Sequence, residues 1–109
     1  MRFIELVCER GEFINRKGNI VYASDTIFRL NVAEDGSKVE TNYVVAHDHQ
    51  EVEIYSIVGK DTISVVFEFD GVEHSLMINR HTGTLYADET NSKGFFHGEG
   101  RCVVPNKKF

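Results

Sequence analysis

Tryptophan is absent from the 109 residues of this chain, proline occurs once, and there are only two cysteines. No apolar run approaches the roughly 18 residues that a membrane-spanning helix needs, so a helical span and a membrane partner are excluded. Basic side chains are the minority, 12 Lys and Arg against 17 Asp and Glu, for a net charge of −5. The one basic cluster, Lys107-Lys108 with Arg101 before it, carries too few charges for strong phosphate binding, which disfavours direct binding of DNA or RNA. Catalytic signatures are missing as well. There is no GxSxG, no HExxH, no glycine-rich phosphate loop, and no Ser or Cys in a recognisable nucleophile setting. The Gly-x-Gly of FHGEGRC precedes a strand rather than a helix. The expectation is a protein that is not an enzyme and needs no cofactor.

What is present is apolar and β-forming. Hydrophobic residues make up 41% of the chain, with eight Phe and four Tyr, enough surface to offset the entropy of ordering one domain of this length. Short runs rich in Val, Ile, Phe and Tyr recur between turn residues, the pattern of an antiparallel all-β protein. Strands are expected near 2–8, 12–16, 20–23, 26–33, 38–45, 51–58, 62–69, 72–79, 84–88 and 95–104. Together they would build a small β-barrel or β-sandwich of meandering hairpins.

The clearest unit is TISVVFEF-DG-VEHSLMIN. Asp70-Gly71 is a two-residue loop of the type I′ class, and it fixes the register of both arms. Phe69 should face Val72, Phe67 His74, Val65 Leu76 and Ile63 Ile78 on the core side. Glu68 should face Glu73, Val66 Ser75 and Ser64 Met77 on the other side, a mixed surface. A second hairpin is expected around Glu34-Asp35-Gly36-Ser37. In AHDHQEVEIYS, Asp48 followed by Glu51 resembles a capping box, so a short helix competes there with a strand.

INRKGNIVYA, from Ile14, and INRHTGTLYA, from Ile78, share Ile, Asn, Arg, Tyr and Ala, and each has a turn glycine, Gly18 or Gly83. Since Asn and Gly are preferred turn residues, one hairpin solution used twice accounts for the echo better than duplication does. Cys8 and Cys102 lie near opposite ends of the chain without CxxC or CxxH neighbours, so zinc and thioredoxin-like chemistry have no support. The first residues, MRFIELVCERG, lack the long apolar stretch of a secretory signal. With Met1 as the native start, a cytoplasmic location and two free, buried thiols are expected. In a trimmed, exported product the same cysteines can bridge the first and last strands.

Of the histidines, His47 and His49 are two apart and can chelate a metal from one strand face if a third ligand arrives, though an exposed loop with ordinary histidines accounts for them better. His74 falls on the apolar face and reads as a hydrogen-bonded core or rim residue. His81 and His97 stand beside turn glycines and should be exposed. Charge is segregated along the chain. Residues 26–75 carry three basic and ten acidic groups. Glu51, Glu53, Glu68, Asp70 and Glu73 are the candidate partner-binding residues of this acidic region, read either as a solvated face or as a docking surface for a basic protein.

The stretch MINRHTGTLYADETNSKGFFHGEGRC resembles the closing hairpin of small, uncharacterised β proteins of phage and prophage origin, with an INR-x-TG turn and a terminal G-x-C. CERGEFINRKGNIVYASDTIFRL resembles the same group. The closing hairpin is also similar to that of the periplasmic lysozyme inhibitors, which are small β-barrels. The likeness covers Ile78 to Cys102, about a quarter of the chain. It implies a compact β-barrel-like module and adds no active site. The short, acidic, motif-free chain fits a phage-type binding module that blocks a host protein, as anti-defence and anti-CRISPR inhibitors do, and the acidic region fits a partner whose basic surface normally binds nucleic acid. The inhibitor likeness implies instead a secreted barrel with a Cys8–Cys102 bridge. A metal- or small-ligand-binding protein using His47 and His49 is the third reading. Sheet edges left unpaired would also allow a homodimer.

Overall fold

The computed structural model describes residues 2–22, 26–43, 54–69 and 71–105. Alternation of apolar and polar residues produces nine strands, and there is no helix among the described residues. They are β1 (Phe3–Asn15), β2 (Ile20–Tyr22), β3 (Thr26–Ala33), β4 (Val39–Thr41), β5 (Ile54–Val58), β6 (Thr62–Phe69), β7 (Val72–Asn79), β8 (Thr84–Asn91) and β9 (Gly94–Val103). All pair antiparallel in one sheet of order β4-β3-β1-β9-β8-β7-β6-β5, with β2 attached to β1. The sheet curls until its two edges approach, and Ser56 Oγ on β5 donates to the Gly36 carbonyl in the β3–β4 turn at 3.1 Å. The result is a nearly closed barrel.

Inward side chains from every long strand fill the lumen. Leu6, Phe13, Phe28, Leu30, Val65, Phe67, Leu76 and Leu85 are among those shut off from solvent. Each large apolar side chain buried in this way contributes about 1.5–3 kcal/mol. The β6–β7 hairpin has the register that its Asp-Gly loop dictates, from Phe69 opposite Val72 to Ile63 opposite Ile78, with Glu68 opposite Glu73. The expected β3–β4 hairpin is also present, Ala33 N donating to the Lys38 carbonyl at 2.8 Å.

Three expectations are corrected. The runs 2–8 and 12–16 are one strand, because a bulge rather than a turn separates them. Arg10 pairs with Gly100 and Phe13 with Gly98, so Gly11 and Glu12 oppose Glu99 alone. The extra residue re-aims the chain and points both Arg10 and Phe13 inward. It also explains Gly98 and Gly100: a Cβ at Gly100 would run into the Glu9 carbonyl, and one at Gly98 would lie 3.0 Å from the Phe13 ring. Second, Cys8 and Cys102 form a disulfide and are not free thiols. The β1–β9 register sets them directly opposite each other on the inner face. Third, His97 lies within β9, half-buried, and not in an exposed turn. The helix or strand choice at 48–51, and His47 and His49, fall outside the described residues.

Candidate functional site

On a solvated sheet face, outward positions are ordinarily polar. The outer face of β5–β8 departs from this. The pairs Tyr55–Val66, Ser64–Ile57, Ser64–Met77 and Met77–Tyr86 place five large apolar side chains on adjoining rungs. Ile57 is 74% exposed, Tyr55 65%, Val66 48%, Met77 46% and Tyr86 41%. Acidic groups rim this stripe. Glu68 and Glu73 face each other, exposed, on the rung beyond Val66, and the rungs of Met77 and Ser75 continue to Glu99 and to Asp88–His97. Of the five carboxylates singled out in the sequence, the structure thus brings together Glu68 and Glu73, while Glu51, Glu53 and Asp70 lie outside the described residues. Sequence reasoning found the acidic part and missed the apolar one. Val66 and Met77 were legible in the hairpin, but the addition of Tyr55, Ile57 and Tyr86 depends on which strands lie on either side.

The acidic rim holds one further pair. His97 Nδ1 lies 2.5 Å from Asp88 Oδ1, and its Nε2 lies 3.6 Å from Glu99 Oε1. The hydrogen bond to Asp88 raises the imidazole pKa above its ordinary value, against the opposing effect of burial. The ring stacks over Tyr86 at 6.0 Å, and a protonated His97 would put a positive charge between Asp88 and Glu99. Among the described residues, no group of three His, Cys, Asp or Glu is arranged to hold a metal ion.

Inside the barrel, one end is polar. Arg10 is only 9% exposed; its guanidinium lies 3.9 Å over the Phe13 ring, donates from Nη1 to Tyr43 Oη at 2.7 Å and from Nη2 to Thr26 Oγ1 at 3.2 Å. His74 stacks on Phe67 with ring centres 4.7 Å apart, and Tyr43 meets its edge. Its cross-strand neighbour is Glu89, and their side chains are 12% and 13% exposed. At 3.7 Å, His74 Nδ1 and Glu89 Oε1 are too far apart for a hydrogen bond, and Nδ1 has no partner among the described residues.

Burial dominates the electrostatics of this end. It raises the Tyr43 hydroxyl pKa, lowers that of His74 and raises that of Glu89, with Arg10 opposing burial at Tyr43 and Glu89 and adding to it at His74. Each of the three is pushed towards its uncharged form around a single cation. Burial thus works against ion pairing of His74 with Glu89 across the 3.7 Å between them. His74 sits where the hairpin register placed it, opposite Phe67, but without the hydrogen bond expected of it. Arg10, Tyr43 and Glu89 carried no local signal, since only the barrel brings residues so distant in sequence to one spot.

No protein-family model matches this chain, and neither a curated protein nor a solved structure is similar to it at a significant level.

Proposed function

We propose that this chain is a non-enzymatic protein-binding module that docks a basic protein on the outer face of β5–β8. The observation that carries the reading is the exposed stripe Tyr55, Ile57, Val66, Met77 and Tyr86, contiguous across four strands and rimmed by carboxylates. Contiguous apolar surface with a polar rim marks interaction sites, since leaving it in water is unfavourable. Glu68 opposite Glu73 costs a few tenths of a kcal/mol up to about 1 kcal/mol, which a basic partner would offset. The partner is thus apolar at the centre of its contact and basic around it, consistent with a protein surface that otherwise binds nucleic acid. The resemblance to phage and prophage proteins supports a host protein as the partner and an inhibitory role for the module.

The test uses affinity capture from bacterial lysate followed by calorimetry with the purified partner. Ile57→Asp should abolish binding, and Glu68→Lys with Glu73→Lys should weaken it and remove its salt dependence. Both variants alter exposed positions and should melt like the parent. Equal affinity for all three proteins would overturn the proposal.

The Cys8–Cys102 bridge favours a second reading, an exported barrel akin to the periplasmic lysozyme inhibitors, because disulfides persist in oxidising compartments and are rare in the cytoplasm. This reading takes an oxidising compartment in place of the cytoplasm expected for the first. Non-reducing mass spectrometry of protein from its native host should find the bridge. Inhibition of a purified lysozyme by the oxidised protein would then separate this reading from the first.

A further inference from the structure

The barrel end opposite the Arg10 group is built differently. There β1 begins, β9 ends and the β7–β8 turn crosses, leaving a cavity of about 340 Å³. Its accessible apolar wall is Ile4, half-buried, and Val104, 43% exposed, above a floor of Leu6, Ile63 and Ile78 that is almost closed to solvent. The interior of the mouth therefore offers a ligand aliphatic carbon.

One side of the mouth is cationic. Arg80 stands in the β7–β8 turn with its backbone N donating to the Asp61 carbonyl at 2.8 Å and Nη1 to the Gly59 carbonyl at 2.7 Å. These bonds hold the guanidinium at the rim while using only part of its donor fork. No carboxylate is in ion-pair range of Arg80 among the described residues, and Asp61 engages His81 instead, Nε2 to Oδ1 at 2.8 Å. A pre-positioned guanidinium with donors left over suits a carboxylate.

We propose that this mouth binds a free, single-chain alkyl carboxylate, with the chain along Ile4 and Val104 and the carboxylate on Arg80. The volume lies at the lower end of the range for small-molecule sites, which favours a medium-length chain over a multi-chain lipid. The site faces away from the polar end of the lumen and is separate from the outer face of β5–β8.

Decanoate, decanol and phosphatidylcholine vesicles are the probes, with binding followed by calorimetry and by amide chemical shifts. Decanoate should bind without vesicles, shift amides around Ile4, Thr82 and Val104, and raise the melting temperature. Arg80→Gln should weaken decanoate about tenfold and leave decanol unchanged, since it removes only the charged head contact. Val104→Asp, at the exposed lip, should weaken both. The proposal is overturned if decanoate fails to bind at about 1 mM, an affinity worth about 4 kcal/mol. It is equally overturned if neither variant changes decanoate binding, if Arg80→Gln weakens decanoate and decanol alike, or if binding requires vesicles.

Discussion

The imidazole of His74 lies flat on Phe67 with Nδ1 buried and without a hydrogen-bond partner among the described residues, so a proton added there would sit in a low-dielectric site that already holds Arg10. Tyr43 from the stretch after β4 and Glu89 from β8 complete its surroundings. Because folding lowers its pKa, the unfolded chain takes up the proton first. His74 therefore costs stability as pH falls below the ordinary histidine value of 6.5. His97 has the opposite sign. Its raised pKa adds stability that is fully present below 6.5 and lost as pH rises through its folded value.

The two effects meet at 6.5, the His97 gain accruing above it and the His74 loss below it as pH falls, and the melting curve of the parent alone does not assign either to its residue. Comparison of variants does. His74→Phe should remove the acid-side loss, so that its melting temperature gains most on the parent below pH 6.5. His97→Gln should lose most in the same range. Glu89 acts nearer to 4.5, where its raised pKa makes the folded state the better proton acceptor. Glu89→Gln should accordingly stabilise the protein at neutral pH and lose that advantage on acidification, read by thermal melts at stepped pH.

Among the elements, the two echoed hairpins show how much local sequence can dictate. Asn15 Oδ1 accepts from Lys17 N and Asn19 N, and Asn79 Oδ1 accepts from His81 N and Thr82 N. Gly18 and Gly83 follow with φ of 82° and 78°. Both are Asx-closed turns of the kind the repeated Asn-Arg and Gly imply. Asn79→Ala should cost about 1–2 kcal/mol in chemical denaturation. The Asp70-Gly71 hairpin was legible for the same reason, a short loop that admits one register. The β1 bulge was not, because its cause lies across the sheet in Gly98 and Gly100. Gly100→Ala should force β1 from β9 and cost about 3 kcal/mol, with the loss visible as early melting.

For the whole molecule, the limit of sequence reading lies in strand order. Consecutive hairpins from β5 to β9 follow the chain, whereas β1 lies between β3 and β9. That placement joins residues 94 apart at the disulfide and converges Arg10, Tyr43, His74 and Glu89 in the lumen. It also decides which exposed side chains form one stripe. The acidic segment could be counted along the chain, but its union with Tyr55, Ile57 and Tyr86 needed the folded sheet. By restricting the unfolded chain, a cross-link spanning 94 residues contributes up to about 4–5 kcal/mol. Denaturation with and without a thiol reductant should differ by that order, and equal midpoints would mean that the β1–β9 ladder alone seals the barrel.

The central position of β1 has a consequence for synthesis. The ribosome makes this strand first, yet one of its two main neighbours, β9, is the last strand of the barrel to emerge. A nascent chain can zip β1 to β3 and stack the later hairpins one after another, but it cannot seal the ring until translation has passed Val103. Rapid early elongation therefore gives no early native state, and the half-made sheet, with Leu6 and Cys8 on one unpaired flank, is the species that a chaperone or an oxidase would meet.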